Sequence, residues 1–284
     1  MKTIKLMSSM LAMAWLICLS SCSGPDCIPS GVRIKSFTWD GVSYQARYGA
    51  NGRLTKLQAS TRDIVFLYDE NGKLYKTSIR NSGEAVPLRT YEYKHSTTGI
   101  SEILISDRND FDNKLHPIVI HKIYYQTPTR LTAIVEQYLE EQGDSVILST
   151  RYYRRFTYEG SNIALIDMIP PFTEYRGLQY DNKVNPFMML ANAVGNPAFF
   201  PAGLYANFPV VNFDIPFVSV FSQNNPLAAQ YITIDGAFPS NQTFTNIYNN
   251  NLVKKIVWVS RQFPPPYIPD FRTFLFEYER APVH

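Results

Sequence analysis

The stretches "RYGANGRLTKLQAS" (residues 47–60) and "FLYDENGKLYKTSIR" (residues 66–80) contain the same turn motif, repeated after twenty residues. In each copy a Tyr precedes Asn-Gly, and a basic residue and a Leu follow it. Asn tolerates the left-handed region of φ/ψ space and Gly has no Cβ, so this pair reverses a chain with little strain. The Tyr and the Leu stand on either side of the reversal, where they can pack across two paired strands. Each copy therefore predicts a β-hairpin.

The same pattern of strand-forming runs and turns continues along the chain from residue 33 to residue 280. Short runs of β-branched and aromatic residues alternate with turn signals such as Asp40-Gly41 and Gly143-Asp144. The connections leave no room for the helices that would cross over between parallel strands. One hairpin alone is marginally stable in water, whereas successive hairpins bury a common face. We therefore predict one all-β domain over residues 33–280, an antiparallel meander of stacked hairpins that forms a curved or barrel-like sheet.

Residues 169–230 differ in composition from the rest of the domain. They are rich in Pro, Asn and aromatic residues, and between Asn185 and Gln230 Asp214 is their only charged residue. Prolines disfavour long regular strands. We predict that this apolar segment covers one face of the sheet. A short helix is expected at "FMMLANAV", with Asn185 as N-cap and Pro186 at its first position.

The N-terminus has the pattern of a secretory signal. Lys2 and Lys5 precede a short apolar run that ends at small residues, and the run is too short to remain as a membrane-spanning helix. The sequence Leu19-Ser20-Ser21-Cys22 resembles the lipobox of bacterial lipoproteins. The resemblance implies that residues 1–21 are removed and that the Cys22 thiol is acylated. Residues 22–32 then form a tether, and we expect the body of the protein to be soluble and held at a bilayer.

Charge and cysteine content narrow the function classes further. Without residues 1–21 the chain keeps 25 basic and 24 acidic side chains, a formal net charge of +1. Nucleic-acid binding requires a concentrated basic surface, so we expect no nucleic-acid partner. The pairs Arg154-Arg155 and Lys254-Lys255 are expected to face solvent or protect a strand edge. Cys27 has no second cysteine within the domain with which to form a disulfide.

The repeated turns, the lipobox and the distinctive stretch "YDNKVNPF" (residues 180–187) together resemble a known group of proteins. They are similar to a family of Bacteroidota-type envelope lipoproteins, a domain of unknown function whose β-hairpins resemble YD repeats. In that family a Tyr-Asp-x-Lys-x-Asn-Pro-Phe stretch follows a run of hairpins, and a strand like that at Asn250–Lys254 comes later. The resemblance implies a location in the bacterial cell envelope, at the outer membrane. It carries over no catalytic residues.

We find no motif of a catalytic or metal site. His116 and His121 are five residues apart, which on a regular strand sends them to opposite faces, so a shared metal is not expected. "DRNDFDNK" (residues 107–114) lacks the Gly and Glu of the EF-hand loop and is interpreted as a polar hairpin loop. We therefore expect no metal, no cofactor and no enzyme activity.

Our leading hypothesis is a non-enzymatic envelope lipoprotein with a binding or structural role, facing either the periplasm or the cell surface. Its partners are the membrane, through the lipid on Cys22, and a glycan, a lipid or another envelope protein. The alternative is a glycan- or lipid-binding module that uses exposed aromatic rings. The candidate rings are Phe199, Phe200, Tyr205, Phe208 and Tyr267. A hydrolase whose carboxylates are dispersed along the sequence is the third hypothesis.

Overall fold

The computed structural model describes most of the chain from residue 31 onward. The described residues are 31–39, 41–127, 130–142, 145–169, 173–195, 222–233, 240–262 and 270–282. They contain sixteen strands and one helix, α1, at Pro186–Val194. The strands in chain order are β1 Val32–Trp39, β2 Val42–Tyr48, β3 Leu54–Gln58, β4 Arg62–Tyr68, β5 Leu74–Asn81, β6 Arg89–His95, β7 Ile100–Arg108, β8 Leu115–Thr127, β9 Arg130–Gln142, β10 Ser145–Glu159, β11 Asn162–Ile169, β12 Thr173–Val184, β13 Asn224–Thr233, β14 Ser240–Asn249, β15 Leu252–Gln262 and β16 Asp270–Arg280.

The strands form a closed barrel. Each strand pairs antiparallel with the next one in the chain, and β1 pairs with β16 to complete the ring. The predicted antiparallel meander is therefore confirmed, and the sheet is closed. The barrel has two ends. The first, which we call the clamp end, carries the connections β2–β3, β4–β5 and their successors together with both chain termini, and the second is the far end.

The inner wall is largely apolar. Along each strand, side chains alternate between the two faces of the sheet, and the large buried apolar side chains are the ones that point inward. Its most deeply buried members on successive strands include Ile34, Leu57, Ile64, Ile79, Ile103, Ile134, Ile166 and Ile256. A round barrel of sixteen strands encloses a lumen wider than side chains alone can fill. Because these side chains are at most 2% exposed, the interior around them is occupied and is not an open channel.

Repeated tyrosine contacts, which we call Tyr clamps, explain the duplicated stretch. Tyr48, at the end of β2, donates its hydroxyl proton to the carbonyl oxygen of Ile34 on β1 (2.6 Å), and Tyr68 does the same to Leu54 (2.6 Å). Tyr180 and Tyr278 repeat the contact farther along the barrel. In each case the end of an even-numbered strand is fastened to the start of the odd-numbered strand before it. Burial of these hydroxyls raises their pKa.

The basic residue of the repeat belongs to the same contact. The Arg33 guanidinium lies over the ring of Tyr48, 4.2 Å from its centroid, and Arg53 lies over Tyr68 at 5.4 Å. A Cβ added to Gly72 would approach Arg53 Nη1 to 2.9 Å, so the next turn also packs against this guanidinium. Arg33 and Arg53 therefore each contact the Tyr of the following turn, and Arg53 also contacts the Gly of that turn.

Of the two residues in the Asn-Gly turn, only the Gly adopts the left-handed conformation. Gly52 and Gly72 adopt left-handed φ values of 75° and 74°, whereas Asn51 does not have a positive φ. Instead the Asn51 side chain accepts a hydrogen bond from the Arg53 amide (3.1 Å). The predicted reversal is present, and Gly alone supplies its left-handed residue.

Helix α1 lies at the clamp end, between β12 and β13. As predicted, Asn185 is its N-cap, accepting the Phe187 amide proton (3.0 Å), and Pro186 opens the helix. Phe187 packs edge-to-face against Phe274 and Phe276 of β16, with ring centroids 5.4 and 5.5 Å away. The helix is thereby held against the inner wall and fills part of the interior. Among the described residues, no helix is long and apolar enough to cross a membrane.

The Pro- and Asn-rich segment has more regular structure at its two ends than its composition indicates. Thr173–Val184 and Asn224–Thr233 are both strands of the barrel. Their pairing contains three register shifts, which accommodate Gly177 and Pro226. Residues 196–221 lie outside the described part of the chain.

Candidate functional site

The side chains of the stretch "YDNKVNPF" form hydrogen bonds that connect β12, α1, β13 and β14. The carboxylate of Asp181 accepts hydrogen bonds from the amides of Lys183 (2.9 Å) and Asn225 (3.1 Å) and from the hydroxyl of Tyr248. Burial and the neighbouring Asp181 carboxylate raise the pKa of Tyr248. The Asn185 side chain, besides capping the helix, donates to the Ser222 carbonyl oxygen (3.0 Å). The side chains of Tyr180, Asp181 and Asn185 are engaged in joining elements of the fold, so the motif has a structural role.

A buried ion cluster lies on the inner wall of β8, β9 and β10. We call His121, Glu136, Tyr138 and Arg154 the interior ion cluster. Arg154 Nη1 donates to Glu136 Oε2 (2.9 Å), His121 Nε2 lies 3.4 Å from the same oxygen, and the Tyr138 hydroxyl donates to Glu136 Oε1 (2.9 Å). The side chains of Arg154 and Glu136 are only 8% and 12% exposed. Both carboxylate oxygens are therefore satisfied inside an otherwise apolar wall.

The charge state of Glu136 follows from these partners. Burial opposes its charged form, but the hydrogen bond and charge of His121 and the charge of Arg154 outweigh burial, so the pKa of Glu136 is held well below its usual range. A general acid requires a raised carboxyl pKa, which Glu136 lacks. The geometry makes Glu136 a permanent counter-ion for Arg154.

The structure corrects two expectations about these residues. Arg154 does not face solvent, because its position in β10 points inward, while Arg155 points outward and pairs with Asp167 (2.6 Å). The expectation for His116 and His121 assumed that side chains alternate regularly between the two faces of β8. This alternation is interrupted, because a register shift adds one residue to β8 between them. They still take different partners: His116 lies 2.8 Å from Asp112 of the β7–β8 loop.

That loop, residues 109–114, uses its polar groups internally. Asn109 Oδ1 accepts the Phe111 amide proton (2.8 Å) and Asp112 Oδ1 accepts that of Lys114 (3.0 Å). Asp107, just before the loop, pairs with Arg89. The hydrogen bonds are those of a hairpin loop. No cluster of three or more His, Cys, Asp or Glu side chains suited to a metal occurs in the part of the chain that the structure describes.

A second polar feature lies on the inner wall of β14 and β15. Gln242 stands directly opposite Ser260, and Trp258 lies two residues before Ser260 on the same face. We call these three residues the β14–β15 polar patch. Gln242 is 1% exposed, Ser260 is 3% exposed and Trp258 is 5% exposed. Four of their atoms, Gln242 Oε1 and Nε2, Ser260 Oγ and Trp258 Nε1, have no hydrogen-bond partner among the described residues. A buried polar group without a partner costs about 1–3 kcal/mol, so this patch destabilises the barrel in the form seen here.

An apolar pocket of about 270 Å³ opens at the clamp end. The pocket lies between the two chain termini, α1 and the first repeated turn. Its lining includes Val32, Arg33, Tyr48, Gly52, Met189 and Ala193. Because Arg33 already pairs with Glu279 (2.7 Å) and covers Tyr48, the pocket contains no uncommitted charge from Arg33.

The ligand residues predicted from the sequence, Phe199, Phe200, Tyr205, Phe208 and Tyr267, lie outside the described residues. Cys22, the predicted lipidation residue, lies outside them as well. The two features found on the inner wall were not predicted. In "SNQTFTNIY" the face that carries Gln242 also carries Ser240 and Asn246, so the sequence does not single out Gln242 or reveal its partner strand.

Comparisons with known proteins give structural similarities only. No protein-family model matches the chain, and no curated protein sequence matches it. Among solved structures, a porin-like protein from Bacteroides uniformis is 11% identical with a TM-score of 0.49, covering 87% of this chain and 96% of its own. A porin-like protein from Bacteroides vulgatus is 12% identical with a TM-score of 0.41, covering 87% and 99%. A DUF3836 family protein from Parabacteroides distasonis is 18% identical with a TM-score of 0.21, covering 31% and 90%. The functional argument therefore rests on the residues of this chain.

Proposed function

We propose that the protein is a non-enzymatic lipoprotein of the bacterial outer membrane that is acylated at Cys22. Its barrel is surrounded by water and binds a ligand. The observation that carries the proposal is the polarity of the wall. The inner face is mostly apolar, while the outer face carries ion pairs between neighbouring strands.

The outer ion pairs lie around much of the barrel. Lys56 pairs with Asp63 (2.8 Å), Lys76 with Glu92 (2.8 Å), and Arg155 with Asp167. Each of these residues is adjacent in sequence to a buried inward residue, so it points outward. Barrels that cross a bilayer carry an apolar outer band about 25 Å tall, into which charged side chains do not fit. Charges on the outer wall thus favour a barrel surrounded by water and a membrane attachment that is external to it.

The position of the chain start supports attachment by the N-terminus. Gly31 lies at the clamp end, where its carbonyl oxygen accepts the Ala281 amide proton (2.7 Å). Cys22 precedes Gly31 by nine residues, a length that spans at most about 30 Å when extended. An acylated Cys22 would therefore hold the clamp end close to the membrane and leave the far end directed away from it. In this orientation the Tyr clamps, which we assign to YD-type repeats, form the membrane-proximal scaffold.

A binding role is favoured over catalysis by the state of the interior charges. Glu136 and Arg154 neutralise each other, and the lowered pKa of Glu136 suits a counter-ion. The pair Arg89 and Asp107 is likewise committed to itself. The unpartnered polar atoms of the β14–β15 polar patch, in contrast, are groups that a ligand can satisfy.

Replacement of the lipidated residue tests the attachment. We expect wild-type protein to sediment with membranes and to require detergent for release, and Cys22→Ser protein to be soluble after cell lysis. A matched Cys27→Ser variant should behave as the wild type does, because Cys27 lies in the tether. Retention of the Cys22→Ser barrel in alkali-washed membranes would contradict the proposal.

A further inference from the structure

We propose that Gln242, Trp258 and Ser260 form a binding site for a neutral sugar inside the far half of the barrel. The proposal deepens the binding role proposed above and rests on it. Three side chains of a single patch hold four buried polar atoms without partners among the described residues. Most buried polar side-chain atoms in proteins have a partner, so four unpartnered atoms in one patch require an explanation.

The patch lies close to one end of the barrel. Ser260 lies two residues before β15 ends at Gln262, and Gln242 lies two residues after β14 begins at Ser240. At about 3.3 Å per residue, both are some 7 Å from the rim of the far end. The patch is therefore near the end of the barrel that the proposed tether directs away from the membrane, and it is distant from α1.

The chemistry of the patch selects the class of ligand. Trp258 offers a donor, and Gln242 and Ser260 each offer a donor and an acceptor, while none of the three is charged. Arg272 stands opposite Trp258 on β16 but is already engaged in an interaction of its own. A charged ligand would find no counter-ion in the patch. A sugar presents neighbouring hydroxyl groups that both donate and accept, and its flat apolar face can pack on an indole ring.

The wall around the patch is consistent with a ring-shaped ligand. Ala229 on β13 stands next to Gln242, and the buried Ser240 lies two residues from it on the same face. These small side chains lie beside the large rings of Trp258 and Phe244, which oppose each other on β15 and β14. Binding sites of this kind combine apolar walls with a few polar groups that fix the orientation of the ligand.

The test uses the detergent-solubilised mature protein and three neutral trisaccharides: maltotriose, xylotriose and the trimer of N-acetylglucosamine. Binding is measured by calorimetry and by the rise in melting temperature. We expect at least one sugar to bind the wild type. Gln242→Leu and Ser260→Ala should each weaken that binding at least tenfold, because the site loses groups that pair with the sugar hydroxyls.

Stability without sugar provides the second readout. Gln242→Leu replaces unpaired polar atoms with an apolar side chain, so it should raise the melting temperature of the sugar-free protein by about 2–4 °C. The matched control is Gln45→Leu, on the exposed outer face of β2, which should change neither quantity. The proposal is overturned if none of the sugars binds, which would leave the patch to internal water, or if Gln242→Leu protein binds sugar as the wild type does. A lower melting temperature for sugar-free Gln242→Leu would also overturn it. Because membrane attachment is measured separately on Cys22→Ser, failure of this site leaves that result intact.

Discussion

The Tyr clamps and the β14–β15 polar patch differ in how completely their polar groups are paired. At the clamp end, buried hydroxyls meet carbonyl oxygens, guanidinium groups cover aromatic rings, and the Asn185 side chain both caps α1 and reaches Ser222. Farther from that end, the inner wall holds a buried ion cluster and a patch whose polar atoms lack partners among the described residues. Redundant pairing is what a scaffold needs, while incomplete pairing is what a ligand can complete. The difference therefore separates the Tyr clamps, which maintain the fold, from the β14–β15 polar patch, which is proposed to bind. Asn225 Oδ1 and Asn246 Oδ1 near the clamp end also have no hydrogen-bond partner among the described residues.

The largest expected effect comes from breaking the interior ion cluster. Glu136→Gln removes the charge of a carboxylate that pairs with the buried Arg154, so we expect the free energy of unfolding to fall by about 3–5 kcal/mol. Glu92→Gln is the matched control, because Glu92 forms an outward ion pair with Lys76 and is half-exposed. That substitution should cost at most about 1 kcal/mol. Denaturant unfolding measures both, and equal losses would mean that the inner and outer charges are equivalent.

Acid should weaken the same cluster in the wild-type protein. The pKa of Glu136 is lowered by folding, so its stabilising contribution is complete above the unfolded carboxyl pKa of about 4.3 and declines as pH falls below that value. We expect the difference in melting temperature between wild type and Glu136→Gln to be constant from pH 7 to about pH 5 and to narrow at lower pH. A difference that does not change down to pH 3 would show that the charge of Glu136 does not stabilise the fold.

A smaller effect is expected at the clamp end. Tyr68→Phe removes the hydroxyl that donates to the Leu54 carbonyl oxygen and leaves that buried acceptor without this hydrogen bond. We expect a loss of about 1–3 kcal/mol in the free energy of unfolding. Tyr75→Phe is the control, because Tyr75 is 46% exposed on the outer face of β5. Equal stability of the two variants would mean that the clamp contributes packing of the ring alone.

The sequence predicts those features of the fold that depend on contacts between residues close together in the chain. The hairpins and the start of α1 were predictable because Asn51-Gly52 and Asn185-Pro186 act within a few residues. Closure of the barrel was not specified, since the pairing of β1 with β16 joins segments more than 200 residues apart and no local signal records it.

The inner-wall sites were less predictable than the fold. Alternation places Arg154 and Arg155 on opposite faces but does not say which faces inward, and a register shift between Thr150 and Tyr152 changes the phase of β10. His121, Glu136 and Arg154 meet only because three long strands pair in one register. A one-residue slip would exchange the two faces. Such sites require the register, which the sequence pattern leaves open.

The smallest effect concerns the contact between successive turns. Arg53 lies over Tyr68 and against Gly72, an arrangement in which a cation over an aromatic ring contributes about 0.5–1 kcal/mol at an exposed position. Arg53→Leu should therefore lower the free energy of unfolding by that amount. Lys73 occupies the same place in the second copy of the turn, but His95 takes the place of the following Tyr and contacts the Leu74 carbonyl oxygen (2.6 Å). Lys73→Leu should change stability by less than about 0.5 kcal/mol, as expected for an exposed surface substitution. If the two variants lose the same stability, the guanidinium does not link the turns, and the repeat is maintained by the Tyr hydroxyl and the Gly alone.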